Sequence, residues 1–195
     1  MGRIFCLMGK SASGKDTLYN MIRDSRPVLK EYVMYTTRPM RTGEIDGKTY
    51  HFVTSGDLKA AEKEGRLIES RTYDTVYGPW IYATVDDGQL APEKESFLMP
   101  STLESFIRLR DYFGKENVIP LYVEVEDGER LQRALNREKS QKEPKYKEMC
   151  RRFLADSEDF SEEKLRRAGI TVRYINNNAD ECAAAITESI DRAMQ

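Results

Sequence analysis

The stretch Ile4-Phe5-Cys6-Leu7-Met8-Gly9-Lys10-Ser11-Ala12-Ser13-Gly14-Lys15-Asp16-Thr17-Leu18 decides the fold. Ile4–Met8 is a short, unbroken apolar run of the kind that makes a strand buried on both faces. Lys15–Arg23 then places Leu18, Met21 and Ile22 at helical spacing. Between them, Gly9 to Lys15 fits G-x-x-x-x-G-K. In a strand–loop–helix setting such a loop turns backbone N–H groups inward around phosphate oxygens, and the positive end of the helix dipole lies behind them. Lys15 would reach the β- and γ-phosphates of a nucleoside triphosphate as a fixed charge. The next position usually carries Ser or Thr for Mg²⁺, but here it is Asp16, followed by Thr17. Magnesium prefers hard oxygen donors, so the Asp16 carboxylate is the candidate metal ligand.

Outward from this loop, apolar runs alternate with helical patterns. Strands are expected at Ser96–Met99, Val118–Val125 and Ile170–Ile175, with helices at Thr102–Phe113, Asp127–Glu138, Tyr146–Arg167 and Ala179–Met194. That alternation predicts an α/β fold with a central parallel sheet of about five strands flanked by helices. Residues 32–84 break the rule. They read as β-rich, with turns at Thr42-Gly43, Asp46-Gly47 and Tyr77-Gly78-Pro79 and one helical pattern at Gly56–Gly65. This stretch is expected to fold as an inserted lobe. Lys139–Lys147 is almost wholly polar, holds Pro144, and reads as a mobile flap.

The 195 residues suit one domain carrying an insertion. Lys and Arg number 31 against 33 Asp and Glu, a net charge of −2, which excludes a globally basic nucleic-acid binder. No apolar run approaches the roughly 18 residues a membrane span needs, and the start lacks a signal-peptide pattern. Neither nucleic acid nor membrane is expected as a partner. Cys6, Cys150 and Cys182 are scattered, which fits reduced thiols in the cytoplasm and offers no metal site. His51 is the only histidine, so a zinc cluster or a histidine-based triad is not expected.

The inserted lobe carries Tyr35-Thr36-Thr37-Arg38-Pro39-Met40-Arg41-Thr42-Gly43-Glu44-Ile45-Asp46-Gly47-Lys48-Thr49-Tyr50-His51-Phe52-Val53. The pattern T-T-R-x-x-R-x-G-E-x-x-G-x-x-Y-x-F-V strongly resembles the monophosphate-binding lobe of guanylate kinases, and with the phosphate loop the resemblance runs from Ile4 to about Ala185. It implies a P-loop kinase fold, with a core of residues 1–33, 85–132 and 149–195, a nucleotide-monophosphate lobe at 34–84 and a mobile lid at 133–148. It also implies ATP and Mg²⁺ on Gly9, Lys10, Ser11, Ala12, Ser13, Gly14, Lys15, Asp16 and Thr17. Arg38 and Arg41 would grip the acceptor phosphate bidentately, and Tyr50 and Tyr77 would each donate a phenolic O–H to it. Glu69 matches the carboxylate that reads guanine, accepting from N1–H and the exocyclic amine.

Three acceptor positions depart from that family. Met34 replaces a serine near the base, Pro79 replaces a hydroxyl residue, and Met99-Pro100-Ser101 stands where a D-x-D normally ends the strand. Asp16 would then supply from the loop the charge which that strand has lost.

Gly128–Arg152 holds nine Lys/Arg against four Glu, so a +5 patch lies inside a chain of net −2. Arg133 and Arg137 are one helical turn apart and share a face. The resemblance makes Arg133, Arg137 and Arg152 the lid arginines that would act with Lys15 in catalysis, with Arg151 the near alternative to Arg152. Asn176, ending the last strand, matches an asparagine near adenine. The implied reaction is transfer of the ATP γ-phosphoryl group to GMP or dGMP, with no general base required. Two other readings stay open: a kinase of another phosphorylated acceptor, such as a different deoxynucleotide or a ribose bisphosphate, and a non-catalytic module binding phosphorylated peptides.

Overall fold

Every residue of β1 (Ile4–Gly9) is buried, and its side chains divide between two cores. Ile4, Cys6 and Met8 face Phe106 and Leu109 of helix α3 (Leu103–Phe113) and Leu165 of α6 (Glu162–Arg167). Phe5 and Leu7 face Leu18 and Ile22 of α1 (Lys15–Ser25) together with Ile186 and Ile190 of α7 (Ala179–Ala193). This is how a strand covered on both sides must be built, and it explains the lack of polar alternation in the sequence. The computed structural model describes residues 2–75 and 78–195.

Three further strands, β6 (Phe97–Pro100), β7 (Val118–Glu124) and β8 (Arg173–Ile175), complete a parallel sheet in the order β6-β1-β7-β8. The expected count of about five becomes four among the described residues. The fifth place, beside β6, is reduced to a single bridge, in which Lys30 pairs with Phe97 and accepts from the Leu98 N–H at 3.0 Å. Helices α4 (Asp127–Lys139) and α5 (Tyr146–Asp159) follow β7. The sequence pattern predicts one helix over Tyr146–Arg167, but the chain breaks after Asp159. Phe160 turns inward, is 5% exposed and stacks on Tyr122 at 5.6 Å, so α6 starts afresh behind Ser161.

The insertion forms a second sheet, ordered β3-β2-β5-β4, from β2 (Tyr35–Thr36), β3 (His51–Phe52), β4 (Leu67–Thr75) and β5 (Gly78–Val85). Helix α2 (Ser55–Lys63) closes its core with Leu58 and Ala61 against Ala83 and Val85. A Thr54–Asp57 capping box fixes the start of α2, one residue before the predicted Gly56. Tyr32 holds the lobe to the core through both backbone groups of one residue. Its hydroxyl accepts from the Val85 N–H at 2.9 Å and donates to the Val85 carbonyl at 3.0 Å. Among the described residues no helix is long and apolar enough to cross a membrane.

Candidate active site

The phosphate loop joins β1 to α1 and is shaped by two close approaches. A side chain at Gly9 would meet Val123 O at 2.6 Å and Ser13 Oγ at 2.8 Å. Gly14, at φ 82°, has Asn176 Nδ2 where a Cβ would lie 2.5 Å away. Ala12 is also left-handed, at φ 62°, so the loop alternates backbone hands as an anion-binding nest does. Lys15 starts α1, partly exposed, with Nζ 3.6 Å from the open Asp16 carboxylate.

Asn176 is 4% exposed, and its amide donates to Ser13 O at 2.8 Å, so it braces the loop from below. The physical reason is position: β8 runs beside β7 and ends under the loop, where a buried carbonyl needs a donor.

The lid helices are tied to the same loop. Arg130 is 1% exposed and donates to Ser11 O at 3.0 Å and to Asp127 at 2.9 Å, with its guanidinium 4.4 Å over the Phe153 ring. Asp156 of α5 accepts from the Ser11 N–H at 2.6 Å, and Asp127 also takes Lys10 at 3.3 Å. Neither Arg130 nor Asp156 stands out in sequence as a functional residue, although the Asp127–Arg130 spacing of three is visible there. Beside Ser11 a pocket of about 170 Å³ is lined by Arg137 and Arg152. Arg152 and Arg151 both bond Glu148, whose carboxyl Arg151 first and then Arg152 hold at about 2. Arg133 bonds Glu129 at 2.9 Å and donates to Asn176 O, so it faces the loop's brace and does not line the pocket. Residues 133–148 thus comprise the second half of α4, a connection and the start of α5. The connection is pinned at its root, where buried Glu138 accepts from the Lys145 N–H at 2.9 Å.

In the inserted lobe, Arg38 and Arg41 are brought near one turn but serve differently. Arg38 is 4% exposed and its fork grips Glu44 at 2.7 and 2.9 Å. Its remaining hydrogen bonds go to Pro39 O at 2.8 Å and the Tyr82 hydroxyl at 3.2 Å. In this structure the Arg38 fork is therefore taken up within the lobe, and one N–H of five is left over. Glu44, held at about 2 by Arg38 and by the Arg41 N–H, also fixes the turn. Arg41 is exposed and makes no ion pair among the described residues. Tyr50 is half-buried, under the Arg38 guanidinium at 5.3 Å and edge-on to Tyr82 at 5.7 Å. Tyr77 lies outside the described residues.

Glu69, 7% exposed, is buried as no solvated strand carboxylate would be. Oε1 accepts from Thr84 Oγ1 at 2.8 Å across the β4–β5 register, while Oε2 faces Arg71 Nε at 3.5 Å. Its charge also raises the pKa of the Cys6 thiol, which burial pushes up to about 12. Ser101 sits buried beside that thiol, where a D-x-D carboxylate was missing from the sequence.

The guanylate kinase family model matches residues 1–163. The chain belongs to the guanylate kinase family. Among relatives, the guanylate kinase of Paraburkholderia xenovorans (strain LB400) is 26% identical over 198 residues, which covers 96% of this chain and 81% of that one. That of Rhodopseudomonas palustris (strain HaA2) is 40% identical over 78 residues, or 40% of this chain and 36% of the relative. For Nocardia farcinica (strain IFM 10152) the figures are 43% over 68 residues, 35% of each. The stronger local matches thus span little more than a third of those relatives' lengths. A guanylate kinase from Anaplasma phagocytophilum shares the fold, with a TM-score of 0.62 at 20% identity over 98% of this chain and 85% of that one. Arg71, Tyr82, Arg130 and Asp156 are residues around this site that its motifs do not name.

Proposed function

We propose that this chain transfers the γ-phosphoryl group of ATP to GMP or dGMP, giving ADP and the corresponding diphosphate. One observation carries the reading: the loop, the arginine pocket beside it and the acceptor lobe with its buried Glu69 belong to one chain. The acceptor phosphate is already anionic at neutral pH, so its oxygen attacks the γ-phosphorus in line without a general base. The bond from that phosphorus to the β–γ bridging oxygen breaks, and ADP leaves with the electron pair. Lys15, Arg137 and Arg152 oppose the charge spread over the transferring oxygens. For Arg152 this requires release from Glu148. Arg41 and Tyr50 meet the acceptor phosphate, and Arg38, locked on Glu44, shapes the turn that presents them.

Magnesium takes one or two carboxylates along with substrate phosphates and water. Asp16, open at the first turn of α1, and the exposed Thr17 beside it fit that donor set. No cluster of three or more His, Cys, Asp or Glu among the described residues offers a cage instead. Asp16 would hold the ion, which when bound neutralises charge on the β- and γ-phosphate oxygens. We place the reaction in the cytoplasm, the compartment that suits three free thiols.

The test is coupled ATP consumption with GMP, dGMP, AMP, UMP, CMP and ribose bisphosphate, repeated with Glu69→Gln. GMP and dGMP should turn over, and the variant should lose them selectively. Turnover confined to another acceptor would refute the guanine assignment. ATP binding without turnover on any acceptor would make this a binding module.

A further inference from the structure

Ser11 is held at both of its backbone groups by side chains far away in sequence. The Asp156 carboxylate of α5 accepts from the Ser11 N–H at 2.6 Å, and Arg130 of α4 donates to the Ser11 carbonyl at 3.0 Å. Each contact fixes a different peptide plane. A peptide group is planar and, throughout the described residues, trans, so its C=O and N–H point in opposite directions. Holding the Ser11 N–H on Asp156 therefore turns the Lys10 carbonyl the other way, where it accepts from the Ser13 N–H at 3.2 Å and closes the turn. Holding the Ser11 carbonyl on Arg130 turns the Ala12 N–H away from that arginine, and this N–H meets no acceptor among the described residues. Ala12 is also the one non-glycine residue among them with a positive φ, 62°. Such a conformation persists only where its surroundings impose it.

The two holding groups are tied to each other as well. Arg130, 1% exposed, lies between Asp127 at 2.9 Å and Asp156 at 3.8 Å, with the Phe153 ring against its guanidinium. Asp127 in turn takes Lys10 Nζ at 3.3 Å, so two consecutive loop residues are anchored to one charged network. Buried ion networks add little stability over apolar side chains of the same volume. Apolar side chains, however, could not orient the two peptide planes that flank Ser11. We propose that Arg130 and Asp156 are positioning residues which set the phosphate loop in its anion-binding shape before a nucleotide arrives. They act on the nucleotide through Ser11. The inference rests on the triphosphate site of the kinase reading above, and adds that the shape of this site is imposed from α4 and α5. A preshaped loop loses less conformational freedom on binding, so it holds its nucleotide more tightly.

The test is calorimetric binding of ADP and of a non-hydrolysable ATP analogue to the native chain, Asp156→Ala, Asp156→Asn, Arg130→Met and Arg130→Lys. GMP binding and steady-state kinetics are measured alongside. Asp156→Ala and Arg130→Met should each weaken both adenine nucleotides by roughly tenfold, the scale of a charge-assisted hydrogen bond. The loss should appear in KM for ATP, while GMP affinity stays within about twofold of native. Asp156→Asn keeps an acceptor for the Ser11 N–H and Arg130→Lys a donor for its carbonyl, so each should recover part of the loss. A general folding fault would instead lower kcat and the active fraction and leave the Kd of the folded molecules alone. Circular dichroism and thermal melting establish that each variant is folded, and should Arg130→Met fail, the two Asp156 variants decide. Unchanged ADP affinity in Asp156→Ala refutes the proposal, and so does an equal loss of ADP and GMP affinity. A native chain that binds ADP but neither binds nor phosphorylates GMP overturns the acceptor assignment alone, and the ADP measurements still decide this one. If the native chain binds no ADP, both are wrong.

Discussion

Replacing Asn176 by alanine tests whether the last strand braces the phosphate loop or reads a nucleotide. The Asn176 Nδ2–Ser13 O bond is 2.8 Å long, and the two residues are 4% and 1% exposed. Alanine would leave the Ser13 carbonyl shut from water without a donor, at a cost of about 1–3 kcal/mol. A chain of this size loses roughly 2–4 °C per kcal/mol, so melting should fall by about 2–12 °C. Aspartate should be worse than alanine, because it sets an acceptor against the same carbonyl. Thermal melting supplies the first readout, and the second is kcat/KM with ATP and with GTP as phosphoryl donors. A loosened loop handles both triphosphates equally badly, so the two values should drop together. Unchanged melting with a loss confined to ATP would mean that Asn176 contacts adenine, and the bracing argument would be wrong.

Glu69 and the Ser11 contacts aside, three other groups give direct tests. Glu44 has its pKa depressed to about 2 in the folded chain, so the unfolded chain binds more protons as pH falls, and the Arg38–Glu44 contribution should be lost between about pH 4.5 and 2. Melting against pH should show that slope in the native chain, and Glu44→Gln should flatten it. Asp16→Asn should raise the Mg²⁺ concentration needed for half-maximal turnover and weaken Mg²⁺ binding in the presence of a non-hydrolysable ATP analogue, and an unaltered titration removes Asp16 from the metal. Cys150 is exposed, whereas burial pushes the Cys6 and Cys182 thiols up to about 12 and about 11. A thiol reagent at pH 8 should therefore modify one cysteine in the native chain and three in urea, and fast modification of two would contradict the packing.

The parallel sheet was legible because burial on both faces demands unbroken apolar runs, and β1 and β7 have them. The break after Asp159 was not. Helical spacing continues through it in sequence, and only the pull of Phe160 onto Tyr122 ends the helix. Motifs named the residues of the site more surely than their jobs. Arg38 sits in the R-x-x-R-x-G-E string, yet the same string carries the glutamate that occupies its fork. The Asn176 brace on Ser13 could not be read from the sequence, because a side chain's depth beneath a loop depends on strand order, which no local window reveals. Arg130 was in reach of helical spacing from Asp127. Its hold on the Ser11 carbonyl joins positions 119 apart in the chain, and such a contact appears only in three dimensions.

Ser11 is gripped at both of its amide groups, the carbonyl by Arg130 on α4 and the N–H by Asp156 on α5. The loop and the two lid helices consequently form a single lever with its fulcrum at one residue. Any ligand that reshapes the loop there would pull on both helices at once. A substitution on either helix that displaces Arg130 or Asp156 would reach the loop through this same residue.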